Sequence, residues 1–524
     1  MQPSPNALLF HDALERTICN PTSSAEWEML RARYLMLEPA EMPQDPLQPL
    51  AAAIGFSGIA GFFHANFLSA IAADLTHIEA AARIALEIRP VDAERLMAFA
   101  THEWGRGLVE TQSRSDFLRR LAAARIPALM ALAASTVEAA FAAAFTHRVV
   151  EAPRRIALVT PMIGDAGHTP TALTLSLAHQ LRATGVEAKL FAPQDPQMLR
   201  MAAYMGNGQS VVINPPDIPA LAKRLPEGVD AMLSQASYSL PLRWRGLASD
   251  IAAYDPDVIF FVGFFAPWMA PLFAHRPVVA MSLHSSPPIV PADVILSADE
   301  TLAGRQLQAW GDALPPSLVH FHPFRIAAKP LISGVSRAQL GIAEEAILMI
   351  VVGFRLKDEM SAAWSRQLAG LMLRRPEMTL MAVGVADENP PGFAAVPSHQ
   401  LRVLGPREDI GDLLALSDIY INPPRTGGGF SVAEAMAAGL PVLCLADGDG
   451  GDKVGPLAVA GMAEYWARLE AYLDDPQQRR RDGASLRGRF TERLDISRSG
   501  PSLLRACHSA IALFNARRGL PAAS

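Results

Sequence analysis

The sequence predicts an α/β protein in which two domains of alternating strands and helices follow an all-helical amino-terminal domain. Residues 1–150 are dominated by Ala, Leu, Arg and Glu, with apolar residues at three- and four-residue spacing. Short apolar runs then alternate with Gly-containing loops and amphipathic segments, first in residues 151–333 and again in residues 334–524. Strand, helix and strand at this spacing form parallel βαβ units, so each of the two later domains is predicted to be Rossmann-like.

The composition is that of a globular protein and argues against several kinds of function. The chain has 524 residues, 50% hydrophobic and 19% charged, which is enough for about three domains that each bury a core. The net charge of -6 gives no overall attraction to nucleic acid. Cys19, Cys444 and Cys507 lie far apart without metal-ligand spacing, and the amino terminus does not resemble a signal peptide. We therefore expect a reduced, cytoplasmic setting.

One apolar segment of the helical domain, residues 50–75, is long enough to suggest a membrane span. It carries no charge before Asp74. However, it contains four polar side chains, those of Ser57, His64, Asn66 and Ser69. Two buried helices are therefore favoured over a span, and no integral membrane segment is expected. The helical domain shows no tetratricopeptide-type repeat, and it is a candidate surface for homo-oligomer formation.

The most informative stretch is residues 401–455, which has the pattern of a complete Rossmann-like unit. A Pro- and Gly-rich loop, 422–430, joins a buried strand at 418–421 to a helix that starts near Ser431. Consecutive glycines before a helix start bring free backbone N–H groups and the positive end of the helix dipole to one point. This point also lies at the carboxyl end of a strand, where ligands of open α/β sheets bind. The loop is therefore predicted to bind a phosphate.

The segment NPPRTGGGFSVAEAMAAGLPVL in this stretch resembles the donor-binding segment of GT-B glycosyltransferases. The resemblance is greatest to the bacterial glycosyl transferase group 1 (glycogen-synthase-like) family. The matching Gly-rich turn, Glu-Ala-Met helix and Gly-x-Pro-Val element are formed by Gly427, Gly428, Gly429, Glu434, Ala435, Met436, Gly439, Pro441 and Val442. The resemblance covers about residues 155–518 and is strongest in 346–455. It implies the GT-B fold, in which two Rossmann-like domains face a cleft.

The same resemblance implies how a nucleoside diphosphate sugar is bound. Glu434 is expected to hold the ribose hydroxyls, while the glycines and the helix start hold the diphosphate. Arg355 and Lys357 directly follow a predicted strand at 346–354 and are expected to stabilise the departing diphosphate, although their spacing is shorter than the usual family pattern. The expected donor-binding residues are Gly353, Arg355, Lys357, Asn422, Arg425, Thr426, Gly427, Gly428, Gly429, Phe430, Ser431 and Glu434.

Other interpretations of these residues stay open. Ser431 and Glu434 have the spacing of a capping box, which would explain both without a ligand. Arg355 and Lys357 could be two solvated basic residues at a helix start. Many members of the family have a second Glu eight positions before the helix Glu, and this sequence has Thr426 there. The donor sugar and the stereochemical course are therefore not determined by the resemblance.

Candidates for the remainder of the cleft come from three loops. The resemblance places Gly164 and His168 in the first cleft-facing loop. There His168 could act as a base or bind the donor or the acceptor. Alternatively, it is a solvent-facing residue at a helix cap. His284 is a cleft candidate because it follows a predicted strand at 277–283. Lys453 lies in an acidic, Gly-rich loop and is either a phosphate contact or part of a surface turn.

The expected function is that of a hexosyltransferase acting on a saccharide or protein acceptor, in glycan biosynthesis or protein glycosylation. The expected co-substrate is a UDP-sugar, although the sequence does not separate uridine from guanosine donors. No cofactor or metal is expected, because basic residues supply the positive charge, and His320 and His322 have no further ligands at suitable spacing. The alternatives are a non-hydrolysing nucleotide-sugar epimerase and a catalytically silent GT-B partner subunit of a transferase.

Overall fold

The computed structural model describes residues 4–19, 24–37, 58–72, 75–146, 148–164, 168–195, 217–235, 237–284, 286–298, 310, 313–332, 334–385 and 391–519. These residues form a helical part followed by two α/β units, each built on one parallel sheet. The predicted fold class, GT-B with an amino-terminal helical part, is therefore confirmed. The limits of the three domains stay predictions.

The helical part packs its apolar faces into one core with the first α/β unit. Its described helices are α1 (Pro5–Cys19), α2 (Ser24–Leu35), α3 (Ile59–Ala72), α4 (Leu75–Glu87), α5 (Ala93–Glu110), α6 (Arg114–Ala123), α7 (Ile126–Ala134) and α8 (Glu138–Ala144). Asp92 and Ser113 cap α5 and α6 by accepting backbone N–H hydrogen bonds. The rings of Phe62, Phe99 and Phe117 are fully buried, and their core continues onto one face of the first sheet.

The segment predicted to be apolar helices, residues 50–75, is described only in part. Residues 50–57 and 73–74 lie outside the described residues, and the remainder contains all of α3 and the first residue of α4. Among the described helices, no single one is both long and apolar enough to cross a bilayer. The consecutive helices α7 and α8, which are bent by 60° relative to each other, reach that length and composition only as a pair.

The first α/β unit has seven parallel strands among its described residues, in the order β3-β2-β1-β4-β5-β6-β7. Its elements are β1 (Arg155–Val159), α9 (Thr169–Ala183), β2 (Glu187–Ala192), α10 (Ile218–Arg224), β3 (Asp230–Leu233), α11 (Leu240–Tyr254), β4 (Val258–Val262), α12 (Met269–His275), β5 (Val278–Met281), β6 (Val294–Ser297) and β7 (Leu318–Phe321). The direction of strand addition reverses between β1 and β4, so a crevice is expected beyond their carboxyl ends.

The second α/β unit has five described strands in the order β10-β9-β8-β11-β12, all parallel. Its elements are β8 (Ile347–Val352), α13 (Leu356–Glu359), α14 (Ala362–Arg374), β9 (Met378–Val383), β10 (Leu401–Leu404), α15 (Ile410–Leu416), β11 (Ile419–Ile421), α16 (Phe430–Ala438), β12 (Val442–Leu443), α17 (Gly451–Val454), α18 (Met462–Asp474) and α19 (Pro476–Arg493). The reversal here lies between β8 and β11, which places Arg355 and the Gly-rich turn on either side of it.

The last described helix, α20 (Gly500–Arg517), returns to the first unit and packs against β5 and β6. The amide of Asn515 donates a hydrogen bond to the carbonyl of Val150 at 3.0 Å. The core beneath α20 includes the buried Cys507. Burial raises the pKa of its thiol to about 12. The chain therefore crosses between the two units twice.

Candidate functional site

The Gly-rich turn follows β11 and leads directly into α16. The helix begins at Phe430, and Gly429 is its N-cap with a φ of 63°. Glycine adopts this left-handed conformation without strain, and it places the N-cap two residues before Ser431, the cap that a capping box would require. The hydroxyl of Ser431 instead accepts a hydrogen bond from the hydroxyl of Tyr420 at 2.8 Å, inside the helix. The capping-box interpretation is therefore wrong.

Glu434 lies on α16, one turn beyond this start. Its carboxylate forms an ion pair with the ammonium of Lys329 at 3.3 Å, and 13% of its side chain is exposed. Burial raises the pKa of Glu434, and the charge of Lys329 opposes that rise. The carboxylate is thus free of any capping role and faces the segment that joins the two α/β units.

The glycines of the turn are required by close packing. A Cβ on Gly427 would lie 2.5 Å from Oδ1 of Asp449, and a Cβ on Gly429 would lie 2.4 Å from Cα of Gly450. The backbone N–H of Gly429 donates to Oδ1 of Asp449 at 2.5 Å. The turn and the loop after β12 therefore form one compact unit at the carboxyl ends of β11 and β12.

Arg425 is a buried cation that holds this unit together. Only 5% of its side chain is exposed, and it donates to Oε2 of Glu359 at 3.1 Å, to Oδ1 of Asn422 at 2.9 Å and to the carbonyl of Val352 at 3.1 Å. Burial alone would lower the pKa of Arg425, but Glu359, Tyr420 and Asp449 raise it above the ordinary value. Arg425 therefore stays charged and joins the ends of β8 and β11.

Arg355 approaches the same turn from β8. Its guanidinium forms an ion pair with Oε1 of Glu359 at 2.8 Å and donates to the carbonyl of Thr426 at 3.3 Å. A Cβ on Gly427 would lie 3.6 Å from Nη2 of Arg355, and 22% of the Arg355 side chain is exposed. Lys357 lies in α13, directly after Arg355 and Leu356. Arg355 is thus a partly exposed cation beside the turn, unlike the buried Arg425.

Gly353 and Lys453 each lie close to a residue of the loop that contains the turn. A Cβ on Gly353 would lie 2.6 Å from Nη1 of Arg425, so this position after β8 also requires glycine. Lys453 is buried in α17, and its ammonium lies 3.2 Å from Oδ2 of Asp452. Its Cδ would lie 3.1 Å from a Cβ on Gly429. The interpretation of Lys453 as part of an exposed surface turn is therefore wrong.

The loop after β5 brings the first α/β unit against the turn. A Cβ on Gly428 would lie 2.5 Å from the carbonyl oxygen of Leu283. The next residue, His284, is buried and stacks on Phe117 of the helical part, with ring centroids 4.7 Å apart. Burial and nearby positive charges, led by that of Arg114, together lower the pKa of His284 to about 3. The imidazole is therefore neutral at pH 7.

Gly164 and His168 lie between the carboxyl end of β1 and the start of α9. The backbone N–H of Gly164 donates to Oγ1 of Thr171 at 2.8 Å, and Nδ1 of His168 lies 2.8 Å from the same oxygen. His168 is the N-cap residue of α9, but its side chain makes no capping hydrogen bond to the backbone. These contacts hold the His168 ring beside its own helix.

The helical part reaches the turn as well, which sequence reasoning missed. Oγ1 of Thr426 donates to the carbonyl of Leu108 at 3.2 Å, and the backbone N–H of Arg114 donates to the carbonyl of Asp447 at 3.1 Å. One available signal was Gly107, because glycine inside a helix costs stability unless a neighbour approaches closely. A Cβ on Gly107 would lie 2.8 Å from the ring of Phe117.

The site thus unites groups from all three parts of the chain. It holds several cations and no group of three or more His, Cys, Asp or Glu side chains that could bind a metal ion within the described part of the chain. The absence of a metal from the reaction stays a prediction.

Comparison with known families and structures gives one match in sequence. Residues 350–468 match the family model described as "Glycosyl transferases group 1". The matched residues run from β8 into α18 and include the Gly-rich turn, α16 and Lys453. The resemblance predicted from the sequence is therefore confirmed for this part of the chain. No curated protein sequence matches the chain.

Three solved structures illustrate its similarity in chain path. HepE from Anabaena in complex with UDP-glucose is 15% identical, with 68% of this chain and 99% of that chain covered and a TM-score of 0.47. A mutant of the O-GlcNAc transferase from Thermobaculum terrenum is 13% identical, with 97% of this chain and 99% of that chain covered and a TM-score of 0.48. A UDP-GlcNAc 2-epimerase from Neisseria meningitidis bound to UDP-GlcNAc is 11% identical, with 67% of this chain and 99% of that chain covered and a TM-score of 0.41.

Proposed function

We propose that this chain, whose residues 350–468 match group 1 glycosyl transferases, transfers a hexose from a nucleoside diphosphate sugar to a saccharide or polypeptide acceptor. The observation that carries the proposal is the Gly-rich turn, which starts α16 beside the partly exposed guanidinium of Arg355. The expected donor is a UDP-sugar. A cytoplasmic location and homo-oligomer formation through the helical part are further predictions.

The diphosphate is proposed to lie at the turn. The N–H groups at the start of α16 have no partner within the helix, and the helix dipole adds positive potential there. Gly427 and Gly428 have no side chains of their own that could cover the backbone N–H groups of the turn. Arg355 adds a guanidinium that can bind two phosphate oxygens. Asp449 lies against the same glycines, so the diphosphate must bind beside its carboxylate.

The nucleoside is proposed to lie over α16 and toward Lys329. The carboxylate of Glu434 is held in place by the Lys329 ammonium rather than by a helix cap. A fixed carboxylate accepts hydrogen bonds from two adjacent hydroxyl groups, as ribose presents them. Asn422, Arg425, Thr426, Phe430 and Ser431 would then support the site by fixing the turn and the start of the helix.

Transfer breaks the bond between the anomeric carbon and the diphosphate oxygen, and the bonding electrons leave with the diphosphate. Arg355, Lys357 and the N–H groups of the turn are proposed to stabilise that developing charge, so that no metal ion is needed. The acceptor hydroxyl or amide attacks the anomeric carbon and loses its proton. His168 is the proposed base, or else a binding group for donor or acceptor, since it lies at the cleft end of β1.

Calorimetric titration with UDP and GDP tests the donor site. The wild-type protein should bind at least one of them. Gly427→Val should abolish binding, because its side chain would meet the carboxylate of Asp449, whereas Gly488→Val is the matched control at a position with open space. If no nucleoside diphosphate binds the wild-type protein, the proposal fails.

Mass spectrometry of a UDP-sugar incubated with the protein then separates the kinds of activity. A transferase should form a glycosylated acceptor, or hydrolyse the donor slowly without one. An epimerase would interconvert two UDP-sugars with no acceptor present. A silent partner subunit would leave every donor unchanged even where UDP binds.

A further inference from the structure

Three parts of the chain meet at one corner of the proposed donor site. The residues that meet there are Arg114 and Phe117 on α6, His284 after β5, and Gly428 and Lys453 of the second α/β unit. The stacked rings of Phe117 and His284 join the first two parts. The approach of Gly428 to the carbonyl of Leu283 joins the first α/β unit to the second.

The imidazole of His284 has a defined tautomer. The backbone N–H of Ser286 donates to Nδ1 of His284 at 3.0 Å, so Nδ1 carries no proton. The proton of the neutral ring is therefore on Nε2. Nε2 is buried and has no hydrogen-bond partner among the described residues, while only 7% of His284 is exposed. A buried N–H donor without a partner is costly, so a partner is expected when the site is filled.

Positive charge surrounds this donor. Arg114 precedes Phe117 by three residues on α6, so its side chain lies on the same helix face as the ring that stacks on His284. Arg114 is buried, with Nε 4.0 Å from Oδ1 of Asp447. Lys453 approaches Gly429 from α17. The positive charges of Arg114, Lys453 and Arg355 all lower the pKa of His284, and Asp452 alone opposes them among the principal charges.

We propose that Arg114 and His284 bind phosphate oxygens of the nucleoside diphosphate donor, so that the helical part forms one wall of the donor site. This inference rests on the proposed function. A buried N–H donor among several cations fits an anionic oxygen, because a charge-assisted hydrogen bond forms in surroundings of low dielectric constant. His284 is then a hydrogen-bond donor and not a base, since Nε2 holds the proton and Nδ1 is occupied by Ser286.

The helical part is held in the position that this role requires. The backbone hydrogen bond from Arg114 to Asp447 fixes the start of α6 against the second α/β unit. The hydrogen bond from the hydroxyl of Thr426 to Leu108 fixes the end of α5 against the same unit. The side chain of Arg114 is therefore placed by two contacts that do not involve its own charge. This arrangement would give the helical part a direct share in donor binding.

Binding of UDP and uridine to variants of the full chain tests the inference. His284→Asn keeps an oxygen near Nδ1 to accept from Ser286 and removes the Nε2 donor, while Arg114→Gln removes the charge. Each should weaken UDP binding roughly tenfold, the loss of one charge-assisted hydrogen bond, and change uridine binding by less than about twofold. His284→Gln places an amide donor near the lost Nε2 and should restore part of the affinity for UDP.

Two matched controls separate this role from general effects. Arg119→Gln removes an exposed charge from the same helix, and His322→Asn removes another buried imidazole from the same α/β unit. Both should leave the ratio of UDP to uridine affinity unchanged. If His284→Asn does not fold, Arg114→Gln and His284→Gln carry the test.

The outcomes distinguish the two proposals. If the wild-type protein prefers UDP to uridine and both variants keep that preference, the inference is wrong and the proposed function stands. An equal loss of UDP and uridine binding shows a structural role and also overturns the inference. If the wild-type protein does not bind UDP or GDP, the proposed function fails and the inference fails with it.

Discussion

The loops at the cleft ends of the two α/β units differ in how their polar groups are held. In the second unit, Arg355 and Arg425 share the carboxylate of Glu359, and Arg425 also reaches Asn422. In the first unit, Gly164 and His168 of the loop after β1 both contact one hydroxyl on α9, that of Thr171. The contacts around the Gly-rich turn thus include a buried ion pair, whereas those of Gly164 and His168 share a hydroxyl group.

This difference indicates how the work of the cleft is divided. A buried ion pair such as that of Arg425 and Glu359 keeps its geometry, because breaking it would leave an unpaired charge in a medium of low dielectric constant. Charged groups fixed in this way stabilise a charge that forms during reaction without having to reorganise. We therefore propose that the second unit binds most of the diphosphate and that the acceptor attacks from the side of the first unit.

Replacing both Arg355 and Lys357 by Ala should have the largest effect. Their charges are proposed to act on the departing diphosphate, so turnover should fall on the order of a hundredfold or more. Affinity for UDP should fall less, because the bound donor carries less charge at the bond that breaks. Steady-state transfer, or donor hydrolysis without an acceptor, measures the change.

The control for that variant is Arg374→Ala, which removes an exposed charge at the end of α14. Near-normal turnover in the double variant would mean that Arg355 and Lys357 are only solvated basic residues. The assignment of the leaving group to the second unit would then be wrong.

His168→Gln tests the other half of the comparison. If His168 is the base, removing its ring should lower turnover on the order of a hundredfold while UDP affinity changes little, since the ring would act on the acceptor. The pH dependence of kcat should lose its acidic limb at the same time. A rise in KM for the donor with unchanged kcat would instead assign His168 to donor binding.

Prediction from the sequence succeeded where local pattern determines structure. Buried apolar runs bounded by Gly or Pro identified β8 and β11, because such runs are covered on both faces in a parallel sheet. The edge strand β3 was missed because its four residues alternate between exposed and half-buried positions and carry little apolar signal. The start of α16 was predicted to within one residue, but its capping residue is a glycine in the left-handed conformation and not Ser431, as a capping box would require.

Only part of the candidate site could be predicted from the sequence, for a related reason. The family resemblance selected the Gly-rich turn and Arg355, which share the end of one sheet. The partners that hold them come from elsewhere in sequence, as Glu359 does for Arg425 and Leu108 does for Thr426. Contacts between distant segments depend on how whole units pack, and no local periodicity reports them.

Glu434→Ala should weaken UDP binding about tenfold or more, because a fixed carboxylate would lose its hydrogen bonds to the ribose. Since no capping box forms, the free energy of unfolding should change little. Lys329→Met removes the ion-pair partner but not the carboxylate itself, so it should weaken UDP binding less than Glu434→Ala does. Unchanged UDP affinity in Glu434→Ala, measured by calorimetry, would remove Glu434 from the donor site.

Thr426→Val should have the smallest effect. It removes the hydroxyl that donates to Leu108 and preserves the shape of the side chain, so the free energy of unfolding should fall by about 1 kcal/mol. The exposed Thr491 gives the control Thr491→Val, which should stay within about 0.5 kcal/mol of the wild-type value. Denaturant titration measures both. Equal stability of the two variants would show that the contact with the helical part is not formed in solution.

A crystal structure with UDP bound tests the central claim most directly. We expect the diphosphate to lie within hydrogen-bond distance of the backbone N–H groups of the Gly-rich turn and of Arg355, with the ribose beside Glu434. UDP bound in the first α/β unit, or at the turn with its ribose away from Glu434 and its phosphates away from Arg355, would contradict it.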